Sequence, residues 1–595
     1  MSSNIADIYN LPIKSTRSGS LFMAFSYPTK ISPETIAVYI LAHTKPGDTV
    51  LDVFGGSGTT GLAALLCDNP NDRLKELIKE SNIEVEYGPR TAYVSEISGL
   101  GSFVSEVMTS KINSIEFQNE ATTLLKRVQE RAENLYDTED PNGIRGIIRH
   151  VIYTEFLICK NCSYETSFSD ACVIEDPISI QHSWKCSKCN SENLNNDSKR
   201  VLEKVYDPIL KKKREVRKRR PYRIYGQTGN VKWKRTVQRS DQPEEEWINK
   251  ANIASIPVNE IEWGDLYRSG YHNGIDYLHD FYTTRNITVL SIFWDELKNS
   301  KIEYREALKL WILSYNSSHS TLMTRVVLKK NQSDFVLTGA QPGVLYISSL
   351  PVEKNIILGL QRKIKTFSSA FKIVESSNSV VNTLWGSSST LAIPDKSIDY
   401  VFTDPPFGDY IPYSELNFIN EAWLNRITEK KEEAIISKSQ KKGASDYELL
   451  LTSVFTEVNR VLKDNSHASV VFHSASAKVW NALKATFKNS HFEVINNSVL
   501  QKEQASFKQT NSKISVKGDA VLLLAKGHTK VNNQFNHVSN ILTELVRVAK
   551  LDNNPSELEN ERLYSRYVGY CMSNHMEVEL DAKDFYSQVS ELING

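Results

Sequence analysis

Hydrophobic and polar positions repeat with two different periods along this chain, and the changes of period mark its parts. Ser32-Pro33-Glu34 is an N-cap followed by proline at the first helical position, and Ile36, Val38, Tyr39, Ile40 and Leu41 supply the helix's apolar surface. Lys45-Pro46-Gly47-Asp48 is a turn, Thr49-Val50-Leu51-Asp52-Val53 a buried strand, and Leu62 to Leu66 open a second helix. Residues 91–96 predict the next strand and 98–135 a helical stretch. The strand–helix alternation then breaks off until about residue 380, with apolar-periodic helices at 280–297 and 304–315 inside the gap. It resumes with strands at 380–386, 398–403 and 469–472, helices at 416–424 and 449–462, and a helix face at Trp480, Leu483 and Phe487. A final antiparallel pair is expected at 492–499 and 519–525, and the chain beyond 530 reads as helical. No internal repeat is visible.

The run 398–403 is apolar, β-branched and aromatic, the pattern of a strand buried on both faces. It stops at Asp404-Pro405-Pro406-Phe407, because two prolines cannot continue a ladder. A carboxylate, two rigid carbonyls and a ring thus stand at a strand's carboxyl end, where open α/β sheets bind ligands. An exocyclic nucleobase amine is a poor nucleophile, its lone pair being delocalised. The Asp404 carboxylate and Pro405 carbonyl could accept both N–H groups, and Phe407 could stack on a base turned out of its helix. The same residues also fit a strand end with a core Phe; a cofactor site elsewhere decides between the two. Phe54-Gly55-Gly56-Ser57-Gly58-Thr59-Thr60-Gly61 is such a candidate, a glycine loop between strand and helix that lets backbone approach a ligand. Glu96, ending the next strand, is placed for ribose hydroxyls. The alternative is a structural turn with Glu96 as a solvated strand end.

Composition narrows this further. At 595 residues the chain predicts two or three domains, and 40% hydrophobic with 24% charged residues describes an ordinary globular protein. Net charge is +0, so any polyanion contact needs a local patch. No apolar run reaches the roughly 20 residues of a membrane span and no signal-peptide core opens the chain, so a cytoplasmic protein without membrane contact is expected. Four of the 7 cysteines form two Cys-x-x-Cys pairs, Cys159/Cys162 and Cys186/Cys189, the knuckles of a four-thiolate structural zinc site. A redox pair or a degenerate site are the alternatives, and Cys172 could replace one ligand; Cys67 and Cys571 read as core. A basic run follows: Lys211, Lys212, Lys213, Arg214, Arg217, Lys218, Arg219, Arg220, Arg223, Lys232, Lys234, Arg235 and Arg239. Among residues 199–239 the acids are Glu203, Asp207 and Glu215, and Tyr222, Tyr225 and Trp233 are interleaved with a hairpin turn at 227–230. The run fits phosphate contact, with Tyr222, Tyr225 and Trp233 stacking on bases or packing under the strands, or else a solvated charged helix and hairpin. His319, Arg325 and Lys329 add groups that could face nucleic acid. The polar loops 428–445 and 501–517 could close over a substrate or approach DNA.

Phe54-x-Gly56-x-Gly58 together with Asp404-Pro405-Pro406-Phe407 resembles the motif pair of DNA amino-methyltransferases that use S-adenosylmethionine. Phe25-Ser26-Tyr27-Pro28-Thr29-Lys30 is similar to the segment holding the cofactor's methionine end in that family. Ile411-Pro412-Tyr413-Ser414-Glu415-Leu416 and Val470-Val471-Phe472-His473 point toward adenine-specific DNA methylases with a zinc-ribbon insertion. The resemblance covers roughly residues 20–130 and 375–526. It implies a doubly wound, seven-stranded Rossmann-like α/β sheet divided as 1–135 and 376–527. A zinc-ribbon and recognition insertion would occupy 136–375, and a helical accessory tail 528–595. It implies cofactor contacts from Pro28, Asp52, Phe54, Gly56, Gly58, Thr59 and Glu96, and from Ser387 or Ser388 where relatives often carry an acid. Asp404, Pro405, Pro406 and Phe407 would be catalytic, with direct methyl transfer to adenine N6 of double-stranded DNA and no covalent intermediate. A restriction or defence-system partner protein is compatible with it. The rival readings are an RNA base methyltransferase, a catalytically inactive nucleic-acid-binding protein, and an enzyme methylating protein amide side chains.

Overall fold

The computed structural model describes the chain except residues 1–7, 10–12, 239–240, 242–244, 268–271, 323, 325, 330–331, 338, 340–344, 346, 503–518, 528–536, 553–554 and 595. Arg239, Arg325 and most of the 501–517 loop therefore lie outside the described residues. The chain divides into two units: residues 1–112, 369–417 and 427–595 form one, and 113–368 with 418–426 the other.

The first unit is built on a mixed sheet of eight strands, one more than expected. Its order is Ile13–Ser15, Phe492–Lys502, Asp519–Lys526, Leu462–Phe472, Ile398–Thr403, Thr49–Asp52, Thr91–Glu96, Val380–Trp385. Asp519–Lys526 runs antiparallel to both neighbours, and the other pairs are parallel. The added strand, Ile13–Ser15, extends the sheet past the expected antiparallel pair. The chain's two directions of winding part between Thr49–Asp52 and Ile398–Thr403, so the loops leaving those adjacent strands open side by side. The apolar run at 398–403 is buried as its composition requires: Ile398, Tyr400, Val401 and Phe402 are each at most 1% exposed. Leu51, Val470 and Leu522 from neighbouring strands and Phe455 and Phe487 from helices Ala444–Val461 and Ala477–Asn489 share its cluster. Removing one such side chain from water contributes about 1.5–3 kcal/mol. The helices Val538–Leu551, Asn560–Ser573 and Ala582–Asn594 were expected as an accessory tail. They place Ile541, Leu563, Tyr567 and Phe585 in that same cluster.

The second unit centres on the 14-residue strand Arg145–Ile158, flanked antiparallel by Arg219–Thr228 and Val352–Lys354. Val231–Thr236 adds to Arg219–Thr228 through the expected 227–230 hairpin, where Gly229 takes φ 56°. Helices Thr284–Glu296 and Arg305–Leu313 lie where the apolar period put them. No helix among the described residues is long and apolar enough to cross a membrane.

Candidate active site, cysteine cluster and basic strands

Two loops from adjacent strand ends meet in one cavity in the first unit. The glycine loop contributes Phe54, Gly56, Ser57 and Thr59, and the other loop contributes Asp404 and Pro406. Pro28, Asp52, Glu96 and Ser387 also line it, so most expected cofactor residues face one space. The chain closes this distance with a direct bond: Thr403 Oγ1 donates to Asp52 Oδ1 at 2.7 Å. Thr60 Oγ1 donates to the other Asp52 oxygen at 2.6 Å and Phe54 N donates at 3.0 Å. Burial raises the Asp52 carboxyl, against these three hydrogen bonds. Asp52 therefore ties the glycine loop to the Asp404 strand while also lining the cavity.

Glu96 is held at the cavity wall by two backbone donors, Gly56 N at 2.6 Å and Ser98 N at 2.7 Å, one to each oxygen. A carboxylate has about four acceptor sites, so hydroxyl donors can still bind it. Gly58 does not line the cavity. It caps helix Thr59–Asp68 at φ +77°, and a Cβ there would lie 2.7 Å from Ser105 Cα. Gly58 is thus fixed by its turn, and Gly58→Ala is expected to destabilise the chain by about 2 kcal/mol or more. A thermal melt of the variant checks this; an unchanged melting temperature would contradict the close approach. Ser388, not Ser387, is tied inward, donating to the Val53 carbonyl at 2.7 Å and meeting Ser95 Oγ at 2.8 Å.

At the second loop, Tyr447 donates to the Pro406 carbonyl, and Gly408 N donates to it at 3.1 Å. The Pro405 carbonyl accepts no hydrogen bond among the described residues, which leaves it available beside the Asp404 carboxylate. Pro405, Phe407, Tyr410 and Tyr413 surround a smaller recess of about 200 Å³ next to Asp404. Phe407 is only 9% exposed, packed edge-on against Phe472 at 5.3 Å and near His473 at 5.8 Å. Half-buried Tyr27 and Tyr413, stacked at 5.9 Å, offer the cavity more aromatic surface than Phe407 does. Both lie in stretches that carry the family resemblance, and neither is among the contacts that the resemblance implies. The loop expected to close over substrate already forms wall through Thr428, Glu432 and Glu433, anchored by Ser414 Oγ donating to Glu433 at 2.7 Å. Five carboxylates (Asp52, Glu96, Asp404, Glu432, Glu433) and one ammonium, Lys30, line the cavity, a field that favours a cationic ligand.

Residues 2–69 match the family model for DNA methylases. No curated protein and no solved structure matches the chain. The matched segment holds the glycine loop and stops far short of Asp404, so the second loop stands on its own geometry.

In the second unit the Sγ atoms of Cys159, Cys162, Cys186 and Cys189 all lie within 4.8 Å of one another. The Cys159–Cys189 and Cys162–Cys186 edges are 3.7 and 3.6 Å, near the about 3.8 Å of a tetrahedron with 2.3 Å metal–sulfur bonds. The two knuckles repeat one turn, with Ser163 and Asn190 both at φ 58° and their N–H groups donating to the Cys159 and Cys186 carbonyls. The Ser191 hydroxyl, 3.1 Å from Cys159 Sγ, pulls that thiol down to about 5. Cys172 is outside the cluster and buried in apolar surroundings, which push its thiol up to about 11.

The basic run is largely neutralised from within. Arg214 pairs with Asp207 and Asp280, Arg217 and Arg219 with Glu155, Lys218 with Glu165, and Arg220 with Glu203. Arg223 pairs with Glu175 and Asp334, Lys234 with Asp334, and Arg235 with the buried Asp241. Lys212 donates to Tyr277 Oη at 2.7 Å. Trp233 packs against Gly226, where a Cβ would meet its ring at 2.2 Å. Tyr222 and Tyr225 spend their hydroxyls on Glu175 and Asp334. Lys211, Lys213 and Lys232 remain exposed with no ion pair among the described residues.

Proposed function

We propose that the first unit is an S-adenosylmethionine-dependent DNA methyltransferase acting on an exocyclic base amine, with adenine N6 as its target. The observation that carries this reading is the single cavity shared by the glycine loop and Asp404, at the carboxyl ends of two adjacent parallel strands. The strand order, with one antiparallel strand near an edge, fits a Rossmann-like methyltransferase sheet extended by Ile13–Ser15. The match of residues 2–69 to DNA methylases agrees with it, as does the acidic lining, which suits a sulfonium.

S-adenosylmethionine, when bound, supplies a methyl group already activated on a positive sulfur. Glu96 would accept from the ribose hydroxyls, and the backbone of Gly56 and Ser57 would approach the cofactor closely. Pro28 and Tyr27 would border its methionine end. Asp404 and the Pro405 carbonyl would accept the two amine N–H groups and so turn the nitrogen lone pair toward the donor. Their contribution is positioning and preorganised hydrogen bonding, with no nucleophilic side chain needed. Asp at the motif's first position favours adenine over cytosine. The test is incorporation of labelled methyl from S-adenosylmethionine into duplex DNA and, in parallel, RNA, with the product nucleoside identified. N6-methyladenosine from RNA alone, or no incorporation, would remove the DNA assignment.

The four cysteines have the donor set and spacing for structural zinc, with no open position for chemistry. One zinc per chain is expected, falling in Cys186→Ser, with loss of protection of residues 159–195 from proteolysis. Full zinc content in that variant would move the metal elsewhere.

A further inference from the structure

The second unit holds its own cavity, opposite in charge to the first. Arg149, Lys354 and Arg362 line it, and no carboxylate does so among the described residues. The three cations have no ion pair among the described residues, unlike the arginines of the basic run. They crowd one another: Arg362 opposes the charge on both Arg149 and Lys354, beyond the effect of burial. Burial, then Arg149 and Lys354, lower the pKa of His150 against the nearby Asp334 carboxylate, and burial with Lys354 and Arg362 lowers that of His319.

This crowding follows from strand alternation. On Val352–Lys354, Glu353 points to the buried side and pairs with Arg285, while Lys354 points to the cavity opposite His150. Helix Ile356–Glu375 then starts at the rim. Asn355 caps it by accepting from Leu358 N at 3.1 Å, and Arg362 extends from its second turn. His319, 3% exposed, has no hydrogen-bond partner at Nδ1 among the described residues. Part of the remaining wall is aromatic: His150 and Tyr225 stack at 4.4 Å, and Tyr315 and Phe335 border them. Like charges held together without a counter-charge destabilise a fold unless an anion joins them.

We propose that this cavity binds a nucleotide unit, its phosphate held by Arg149, Lys354 and Arg362 and its base or sugar lying on the aromatic wall. The proposal stands apart from methyl transfer and uses none of the cations of the basic run. The phosphate could belong to a nucleic-acid strand or to a free nucleotide. Fluorescence anisotropy of the full chain with a labelled twelve-residue oligothymidylate and with a fluorescent adenosine monophosphate separates the sources, each at two salt concentrations. Arg362→Glu, at an exposed position, and Lys354→Met should weaken binding of at least one probe by about tenfold or more. For the oligonucleotide, the salt slope should fall by about one per lost contact. Loss confined to the oligonucleotide assigns a strand phosphate, and loss confined to the mononucleotide a free ligand. Unliganded Lys354→Met should melt no lower than the parent, since it relieves repulsion; if it fails to fold, Arg362→Glu decides. Parent-like binding of both probes by Arg362→Glu, or no binding of either probe by the parent, overturns the proposal.

Discussion

Asp404→Ala is expected to abolish methyl transfer, by at least about 10³-fold in kcat or about 4 kcal/mol of transition-state stabilisation, while cofactor affinity changes little. The backbone on either side of Asp404 is held by other groups. Thr403 is tied to Asp52, and the Pro406 carbonyl is held by Tyr447 and Gly408. The variant should therefore keep its fold and its cavity while losing one of two acceptors for the amine. Single-turnover methyl incorporation and calorimetric titration of the cofactor separate the two effects. An equal loss in both would contradict the assignment of Asp404 to the base and Glu96 to the cofactor.

The second large effect concerns stability. Glu353 is 1% exposed and pairs with Arg285, itself 2% exposed, while Tyr153 Oη donates to it at 3.2 Å. Arg285 also lies 4.6 Å from the Trp247 ring centre. Glu353→Ala strands a guanidinium away from water, and a loss of about 3–5 kcal/mol is expected. Removing both charges in Glu353→Met/Arg285→Leu should cost less than that single change, because no orphaned charge remains. Urea denaturation of the three proteins measures this. A double variant less stable than Glu353→Ala would mean that the pair's attraction outweighs the penalty of burying it.

What could be read from residue order alone follows from the range of the physics involved. The strand at 398–403 announces itself because burial on both faces demands a continuous apolar run, and the glycine loop because its turn demands φ values other residues resist. The cysteine knuckles carry their geometry in their spacing. Ile13–Ser15 escaped notice because three residues cannot display a period. The pairing of the basic run was hidden for a related reason: its partners Glu155, Glu175, Asp280 and Asp334 lie far away in the chain, invisible to a local charge count. The cationic cavity was hidden by the converse. Arg149, Lys354 and Arg362 are scattered, and Lys354 directly follows an acid that faces the other way. Asp52 shows a third limit, since a carboxylate at a strand end reads alike whether it meets a ligand or ties two loops together.

The strand that completes the centre of the first sheet arrives late in synthesis. Thr49–Asp52 leaves the ribosome about 350 residues before Ile398–Thr403, its neighbour, which at 5–20 residues per second is a wait of roughly 20–70 s. Over that interval residues 113–368, nearly the whole second unit, are free to fold as one continuous stretch. The early strands meanwhile carry an open, apolar edge, the kind of surface chaperones recognise. Production of the intact protein should thus depend more on the pace of translation and on chaperone supply than its length alone would suggest.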